Sequence, residues 1–371
     1  MSTATRTDRG ATEWRIDDEV IRLREWGTDI IHRLPQAPWD SVTIGTADSC
    51  TLRLVDPSGF TSREHARLER SRQSWIVRDL DSKNGTRIDG SRRSEIRLEP
   101  GGELGIGCLT LIAESRRFIE LRSFVARLLG WSADKMATVD FALRAIRLAA
   151  TRRLPLVLCG PGDLVLIAQA IHRHALGDTK PFVVCDPRRR EGEASVRSAG
   201  NIETGLAAMR RAVGGSLCVW SRRLPADFKE VRGALRDPAT RVQLVVCAES
   251  WRHSKPYHVE PIIVPPLQSR PHEISRIIDE YTEEAAAALS ATVTLSPADR
   301  EWILRHSASS VSEIEKGTRR LLAIRQHDDN ITAAARTLGM APISLSRWIG
   351  RRALPERRPG GGGGRTRQAS R

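Results

Sequence analysis

Two groups of residues in this chain have types and spacings that could bind a phosphate. Ser62, Arg63 and Asn84 stand in polar segments between apolar runs, and their hydroxyl, guanidinium and amide groups are the donors that a phosphate dianion needs. Two glycines at 160–162 follow another apolar run, where a nucleotide-binding loop would turn backbone N–H groups toward phosphates. A third group, at 330–349, is basic and helix-like and suits nucleic acid.

The first donors belong to a segment with β-structure patterns. Between Val42 and Thr86 the sequence has three short apolar runs, each ending in a polar loop. Apolar and polar residues alternate from Trp75 to Leu80, and Asn84-Gly85 favours a tight turn with positive φ. We therefore predict that strands hold these loops in place.

Two of the loops carry the residues of a known family. Ser-Arg-Glu-His-Ala at 62–66 and Asp-Ser-Lys-Asn-Gly-Thr at 81–86 resemble the signature of the forkhead-associated (FHA) domain. The resemblance covers about 14–122. It implies an all-β sandwich whose loops bind phosphothreonine peptides.

The resemblance also implies a role for individual residues. Ser62 and Arg63 would contact the phosphate, Asn84 the peptide backbone, and His65 would support the loops from inside. Family members usually have Gly-Arg where this chain has 45–46, Gly-Thr, so a main phosphate ligand is absent.

The absent arginine leaves two interpretations open. One charge-assisted hydrogen bond is worth about 1.5–3 kcal/mol, or roughly ten- to a hundredfold in affinity. Arg53, Arg63 and Lys83 are the basic residues that could compensate. The sandwich either binds phosphopeptides or is an ordinary protein-contact surface.

Charge and cysteine content narrow the class of protein. Lys and Arg outnumber Asp and Glu by 59 to 45, which favours nucleic acid as a partner unless the excess is only solvated surface. The 6 cysteines are scattered singly, which predicts a reducing compartment and neither disulfides nor a zinc site. Without a signal-like or membrane-length apolar run, we expect a cytoplasmic, nucleoid-associated protein with no membrane contact. We also expect no catalytic residue, no metal and no cofactor.

After the β-rich part, the pattern changes to alternating helix and strand. Short apolar runs separated by helical stretches predict a parallel sheet with crossover helices. The runs are 154–159, 181–185, 215–220 and 242–247. With LIAQAIHRHA and VPPLQSRPHEI, the region of about 124–325 resembles the AAA+ domain of bacterial enhancer-binding proteins, the ATP-driven activators of sigma-54 RNA polymerase.

This second resemblance lacks the residues of ATP chemistry. The lysine that contacts the phosphates would align with Leu164, and Trp220 and Ser221 occupy the places of the magnesium-binding carboxylates. The sigma-contacting loop is missing from 185–214, and the sensor arginine is missing from 309–314. The resemblance therefore implies a pseudo-ATPase.

The role of Gly160 and Gly162 has two possible interpretations, turn geometry and nucleotide binding. A strand-to-helix turn needs glycine for its geometry alone. A helix N-terminus also attracts anions, so weak binding of ATP or ADP without turnover stays open, as does an active ATPase with displaced motifs.

The C-terminal segment predicts two short helices. Residues 330–340 have a small-residue face ended by Gly339, and Pro342 suits the first turn of the next helix. Packing of the two helices would use Ala334, Leu338, Leu345 and Ile349. The segment resembles the Fis-type helix-turn-helix that ends most enhancer-binding proteins.

A helix-turn-helix places its second helix in the major groove of DNA. Candidates for base contacts are Ile343, Ser344 and Arg347, and candidates for phosphate contacts are Arg336, Arg351 and Arg352. The alternative is a helical hairpin used only for packing or dimerisation.

Together these patterns predict a multidomain chain. Its parts are an FHA β-sandwich at 14–122, a degenerate AAA+-like α/β core at 124–264, a helical lid-like subdomain at 265–325, a helix-turn-helix at 326–353 and a disordered Gly/Arg tail at 354–371. We expect a non-enzymatic bacterial transcriptional regulator that binds DNA and a phosphorylated or other protein partner, as a homo-oligomer or with an active enhancer-binding protein. The alternative is a phosphoprotein-binding scaffold without sequence-specific DNA binding.

Overall fold

The computed structural model describes residues 18–35, 41–71, 74–152, 154–192, 199–237, 239–253, 255–350 and 352–355. It divides into two compact units at the bond between Pro265 and Pro266. In these ranges no helix combines the length and the apolar character needed to cross a bilayer. The predicted tail lies outside the described residues from residue 356 onward.

The first unit begins with a β-sandwich. Its strands are β1 (Val20–Glu25), β2 (Ile31–Arg33), β3 (Ser41–Gly45), β4 (Leu52–Arg53), β5 (Ala66–Ser71), β6 (Ser74–Asp79), β7 (Thr86–Ile88), β8 (Ser91–Arg92), β9 (Glu95–Arg97), β10 (Glu103–Ile106) and β11 (Leu109–Ser115). One sheet has the order β2-β1-β11-β10-β7-β8 and the other β4-β3-β5-β6-β9. A single apolar cluster takes buried side chains from both sheets, which makes this part of the chain an all-β sandwich.

Strand β6 shows why the local sequence folds in this way. Trp75 and Val77 are buried in the core, whereas Ile76 and Arg78 between and beyond them are not. This is the alternation that the sequence predicted. The tight turn predicted at Asn84-Gly85 is also confirmed, because Gly85 has a φ of +70°.

Two helices follow the sandwich, α1 (Arg116–Leu129) and α2 (Met136–Arg152). Helix α1 starts directly after β11, with the Ser115 hydroxyl accepting the N–H of Phe118, so the predicted boundary between 122 and 124 falls inside a helix. Helix α2 is tied to the sandwich by a buried ion pair. The Arg24 guanidinium lies 2.9 Å from one Asp140 oxygen and 2.8 Å from a Glu114 oxygen.

The parallel sheet predicted from the alternating pattern follows. Its elements are β12 (Leu156–Cys159), α3 (Leu164–Leu176), β13 (Phe182–Cys185), β14 (Gly200–Asn201), α4 (Gly205–Arg211), β15 (Ser216–Trp220), α5 (Phe228–Ala234), β16 (Gln243–Ala248) and β17 (Ile262–Ile263). The order is β14-β13-β15-β16-β12-β17, and every described pairing is parallel. Strands β14 and β17 were not predicted, because two residues are too few to show a period.

The second unit is helical. Its helices are α6 (Ile274–Leu289), α7 (Pro297–Ser307), α8 (Val311–Gln326), α9 (Ile331–Thr337) and α10 (Pro342–Ile349). Ala334 and Leu345 are fully buried between α8, α9 and α10, and Leu338 and Ile349 pack against them, as their spacing predicted.

Candidate functional site

Three loops of the sandwich meet on one surface. They are 46–51 after β3, 54–65 after β4 and 80–85 after β6, and we call this surface the loop face. Backbone hydrogen bonds join them: Thr46 N–H donates to the Ser62 carbonyl at 3.2 Å, and Leu80 N–H donates to the His65 carbonyl at 3.0 Å. The strands therefore hold the loops in a fixed arrangement, as a binding surface requires.

Gly45 lets the first two loops come together. A Cβ at this position would lie 2.2 Å from the Arg63 carbonyl oxygen and 2.9 Å from that of Ser62. Because no side chain can occupy that space, only glycine allows this approach.

His65 supports the loop face from inside. It is fully buried, its Nδ1 accepts the N–H of Ser62 at 3.0 Å, and its Nε2 lies 3.4 Å from the Gly85 carbonyl oxygen. Burial lowers the pKa of His65, and the nearby Gly85 carbonyl only partly offsets this. A neutral ring that accepts at Nδ1 and donates at Nε2 suits both contacts.

The structure brings the predicted phosphate contacts together. The Ser62 hydroxyl is half-buried and accepts the backbone N–H of Lys83 at 3.0 Å, which leaves its own hydrogen for a ligand. Arg63 and Lys83 are exposed beside it. Asn84 donates through Nδ2 to the Phe60 carbonyl at 2.7 Å, which fixes its amide against the neighbouring loop.

Two further cations border the loop face, and one of them, Arg53, lies next to the position of the absent arginine. Arg53 is paired with Gly45 in the parallel register of β3 and β4, and its Nη1 forms an exposed ion pair with Asp48 at 2.7 Å. Arg92 lies against Gly85, since a Cβ there would be 2.2 Å from the Arg92 Nε. The sequence patterns indicated Arg53 but not Arg92. Arg92 belongs to no recognisable motif and reaches this surface only because β8 pairs with β7.

A carboxylate shapes the second loop. Asp56 accepts hydrogen bonds from the side chain of Ser58 and from the Thr61 N–H at 2.6 Å. Hydrogen bonding to Ser58 and Thr61 holds the pKa of Asp56 well below its usual range, so it stays ionised. It therefore fixes the position of Thr61, the residue before Ser62.

The glycine turn at 160–162, in the parallel sheet, is packed against neighbouring backbone. Gly160 has a φ of +148°, donates its N–H to the Ala248 carbonyl at 3.1 Å, and has no room for a Cβ, which would lie 2.3 Å from the Val264 carbonyl oxygen. Gly162, with a φ of +92°, is followed by Asp163, which stands at the N-terminus of α3. Leu164, the aligned lysine position, is fully buried.

At the end of β15 stand Trp220 and Ser221, the two residues aligned with the magnesium-binding carboxylates. Ser221 donates its backbone N–H to the Cys247 carbonyl at 2.9 Å, and the Arg223 guanidinium lies 5.7 Å from the centre of the Trp220 ring. Across the described ranges, no group of three or more His, Cys, Asp or Glu side chains could hold a metal.

The C-terminal helices present most of the predicted DNA contacts. Gly339 has a φ of +61° between α9 and α10, and the Asn330 side chain caps α9 by accepting the Ala333 N–H at 3.0 Å. The side chains exposed on α9, on α10 and after it include Arg336, Ile343, Ser344, Arg347 and Arg352. Arg351 lies outside the described residues.

Comparisons with known proteins agree on the first region. A model of the FHA domain matches residues 42–107. The FHA domain-containing protein FhaB of Mycobacterium tuberculosis is 40% identical over 67 residues, which are 18% of this chain and 42% of FhaB. FhaB of Mycolicibacterium smegmatis is 39% identical over the same length and coverage. This chain thus matches less than half of the length of these relatives.

Similar solved structures each cover about a quarter of this chain. One, from a study of phosphothreonine-dependent FHA domain interactions, is 25% identical with a TM-score of 0.23, over 26% of this chain and 95% of its own. Another, Mycobacterium tuberculosis EmbR in complex with a low-affinity phosphopeptide, is 23% identical with a TM-score of 0.23, over 25% of this chain and 24% of its own.

Proposed function

We propose that the loop face, which lies in the part of the chain that matches the FHA domain, binds phosphothreonine in a protein partner. The observation that carries this proposal is the meeting of the Ser62 hydroxyl with Lys83 and Arg63 on loops fixed by His65. A phosphate dianion is bound by such a set of hydroxyl and cationic donors held on a stiff scaffold.

The position of Thr46 sets the expected strength of binding. Thr46 occupies the place of the family's arginine, so one charge-assisted contact is lost. Arg53 and Arg92 border the loop face and supply positive charge at longer range. We therefore expect phosphate-dependent binding that is weaker, by roughly tenfold or more, than that of an arginine-bearing relative.

Calorimetry with degenerate phosphothreonine peptides tests the proposal. Ser62→Ala should weaken binding by roughly ten- to a hundredfold, since it removes a hydroxyl donor to a charged group. Ser91→Ala is the matched control, because Ser91 is exposed on the same sandwich in strand β8. Equal affinity for the phosphorylated and unphosphorylated libraries would instead make the sandwich an ordinary protein-contact surface.

For the rest of the chain we propose a DNA-binding transcriptional regulator with a catalytically inactive AAA+-like core. Exposure of Ile343, Ser344 and Arg347 on α10 supports base contacts, with Arg336 and Arg352 at phosphates. Burial of Leu164 supports an inactive core, since no lysine reaches a nucleotide there. The regulator would act as a homo-oligomer or with an active enhancer-binding protein, on the nucleoid.

Gel-shift titration in a salt series tests the DNA proposal. Arg347→Ala should reduce the preference for specific over competitor DNA, whereas Arg319→Ala, an exposed arginine on α8, should not. Binding without any sequence preference would favour a phosphoprotein-binding scaffold. ATP turnover that Gly160→Ala abolishes would refute the inactive core.

A further inference from the structure

An open cleft of about 450 Å³ borders the sandwich and helix α2. Its charged lining residues are Arg87, Asp89, Glu103, Arg144, Arg147 and Arg152, and we call it the arginine cleft. The lining thus has more guanidinium groups than carboxylates, so an anion would be attracted to it.

Several of these side chains are fixed in place. The Arg144 Nε lies 2.5 Å from the Glu103 Oε1, and the Trp26 ring centre lies 4.1 Å from the Arg144 guanidinium carbon. The Arg147 Nη1 donates to Asp89 at 2.8 Å. Burial would raise the pKa of Asp89, but Arg147 keeps it below its usual value. A ligand would therefore meet a site whose cations are already ordered.

One donor beneath the cleft surface lacks an acceptor. Arg147 is 9% exposed, and its Nε has no hydrogen-bond partner in the described structure. A buried donor left unsatisfied costs about 1–3 kcal/mol. Because the Nε itself is buried, an anionic oxygen would satisfy this donor only after the Arg147 side chain shifts toward the cleft.

The arginine cleft borders the loop at 54–65, which belongs to the loop face. Gly107, which lines the cleft, packs against Thr61, because a Cβ there would lie 2.4 Å from the Thr61 Oγ1. Arg87 donates to the Gly107 carbonyl at 3.2 Å and comes three residues after Asn84, so their Cα atoms are at most about 10 Å apart. A partner chain on the loop face would reach the cleft within about three to five residues.

We propose that the arginine cleft binds a second anionic side chain, a phosphate or a carboxylate, of the partner chain whose phosphothreonine occupies the loop face. This proposal rests on the proposed function of the loop face. Arg144, Arg147 and Arg152 belong to α2, outside the FHA match at 42–107, so the preference belongs to this chain's own arrangement. A partner with two anionic groups would bind both surfaces at once.

Peptides with one phosphothreonine and a second variable residue test the proposal on the full chain. The second residue is phosphoserine, Glu or Gln, placed three to five residues to either side. At the correct spacing, phosphoserine should raise affinity by about ten- to a hundredfold over Gln, with Glu between them.

Two variants locate the effect. Arg147→Gln and the exposed Arg152→Gln should remove the gain and leave affinity for the singly phosphorylated peptide unchanged. Arg97→Gln, an exposed arginine on β9 of the other sheet, should keep it. The indole N–H resonance of Trp26, assigned with Trp26→Phe, should shift only with the doubly anionic peptides, because its ring lies on Arg144.

The outcomes separate the two proposals. If singly phosphorylated peptides bind but no second anion improves affinity, the cleft proposal is wrong and the loop-face proposal stands. A gain that survives both cleft variants would also overturn the cleft proposal. If no phosphothreonine peptide binds, both proposals are wrong.

Discussion

Gly45 in the sandwich and Gly160 in the parallel sheet solve the same steric problem. Each stands where a strand ends, and a Cβ would lie 2.2 Å from the Arg63 carbonyl oxygen in one case and 2.3 Å from that of Val264 in the other. Both glycines therefore allow two backbones to touch. A close approach of this kind does not by itself make a ligand site.

The flanking residues decide what each glycine turn can do. Gly45 brings its strand against the loop that carries Ser62, where donors remain available to a ligand. Gly160 gives its N–H to the sheet, and Asp163 adds a negative charge at the start of α3. The donors beside the first turn would attract a phosphate, whereas the Asp163 carboxylate beside the second would repel one.

The largest expected effect is a loss of folding stability at the Gly160 turn. Gly160→Ala combines a clash with backbone and a φ that side chains rarely adopt, so the free energy of unfolding should fall by about 2–5 kcal/mol. Urea unfolding measures it. Gly214→Ala is the matched control, since its φ is +81° but nothing lies within 4 Å, and it should cost only about 1–2 kcal/mol.

A gain of binding would sharpen the difference between the turns. Thr46→Arg restores a charged donor beside Ser62 and should strengthen phosphothreonine-peptide binding by about 1.5–3 kcal/mol, which calorimetry measures. Thr46→Gln, similar in length but uncharged, should give little gain. No improvement with arginine would mean that the loop face does not hold a phosphate near residue 46.

At the Gly45 turn, we expect one substitution to lower both the folding stability and the phosphopeptide affinity. Gly45→Ala should push the Arg63 carbonyl away and lower the free energy of unfolding by about 1–3 kcal/mol, with a parallel loss of phosphopeptide affinity. Gly160→Ala should leave that affinity unchanged wherever the protein is folded. Unchanged affinity in Gly45→Ala would show that the contact between the loops is structural only.

Much of this contrast could be predicted from local sequence. The alternation at Trp75 and Val77, the turn at Gly85 and the strand before Gly160 are patterns of a few neighbouring residues, and the structure confirms each of them. The donors Ser62 and Asn84 were recognised because a known family uses the same residue types at these positions.

Contacts between distant residues could not be predicted in this way. Arg24 pairs with Asp140, which is 116 positions further along the chain, and nothing near either residue signals a partner. The arginine cleft has the same origin, because Arg144 of α2 pairs with Glu103, 41 positions earlier, and Arg147 with Asp89, 58 positions earlier. The carbonyl that excludes a side chain at Gly160 likewise comes from Val264.

Two histidines extend the comparison to pH. Burial lowers the pKa of His65 beneath the loop face and of His172 in α3 below the ordinary value of 6.5. The unfolded chain then binds more protons between the folded and unfolded pKa values. Stability should therefore be complete above about pH 6.5 and decline as the pH falls, by at most about 1.4 kcal/mol per unit for each histidine.

Glutamine variants separate the two histidines in urea titrations between pH 8 and pH 5. Each substitution should remove its own part of the acid loss, but only His65→Gln should change how phosphopeptide affinity depends on pH. Protonated His65 cannot accept the Ser62 N–H at Nδ1, so acid should displace Ser62 as well as weaken the fold. Phosphothreonine itself gains a proton near pH 6, equally for every variant, so the difference between wild type and His65→Gln isolates the imidazole. An identical pH dependence in both proteins would mean that the loop face does not depend on a neutral His65.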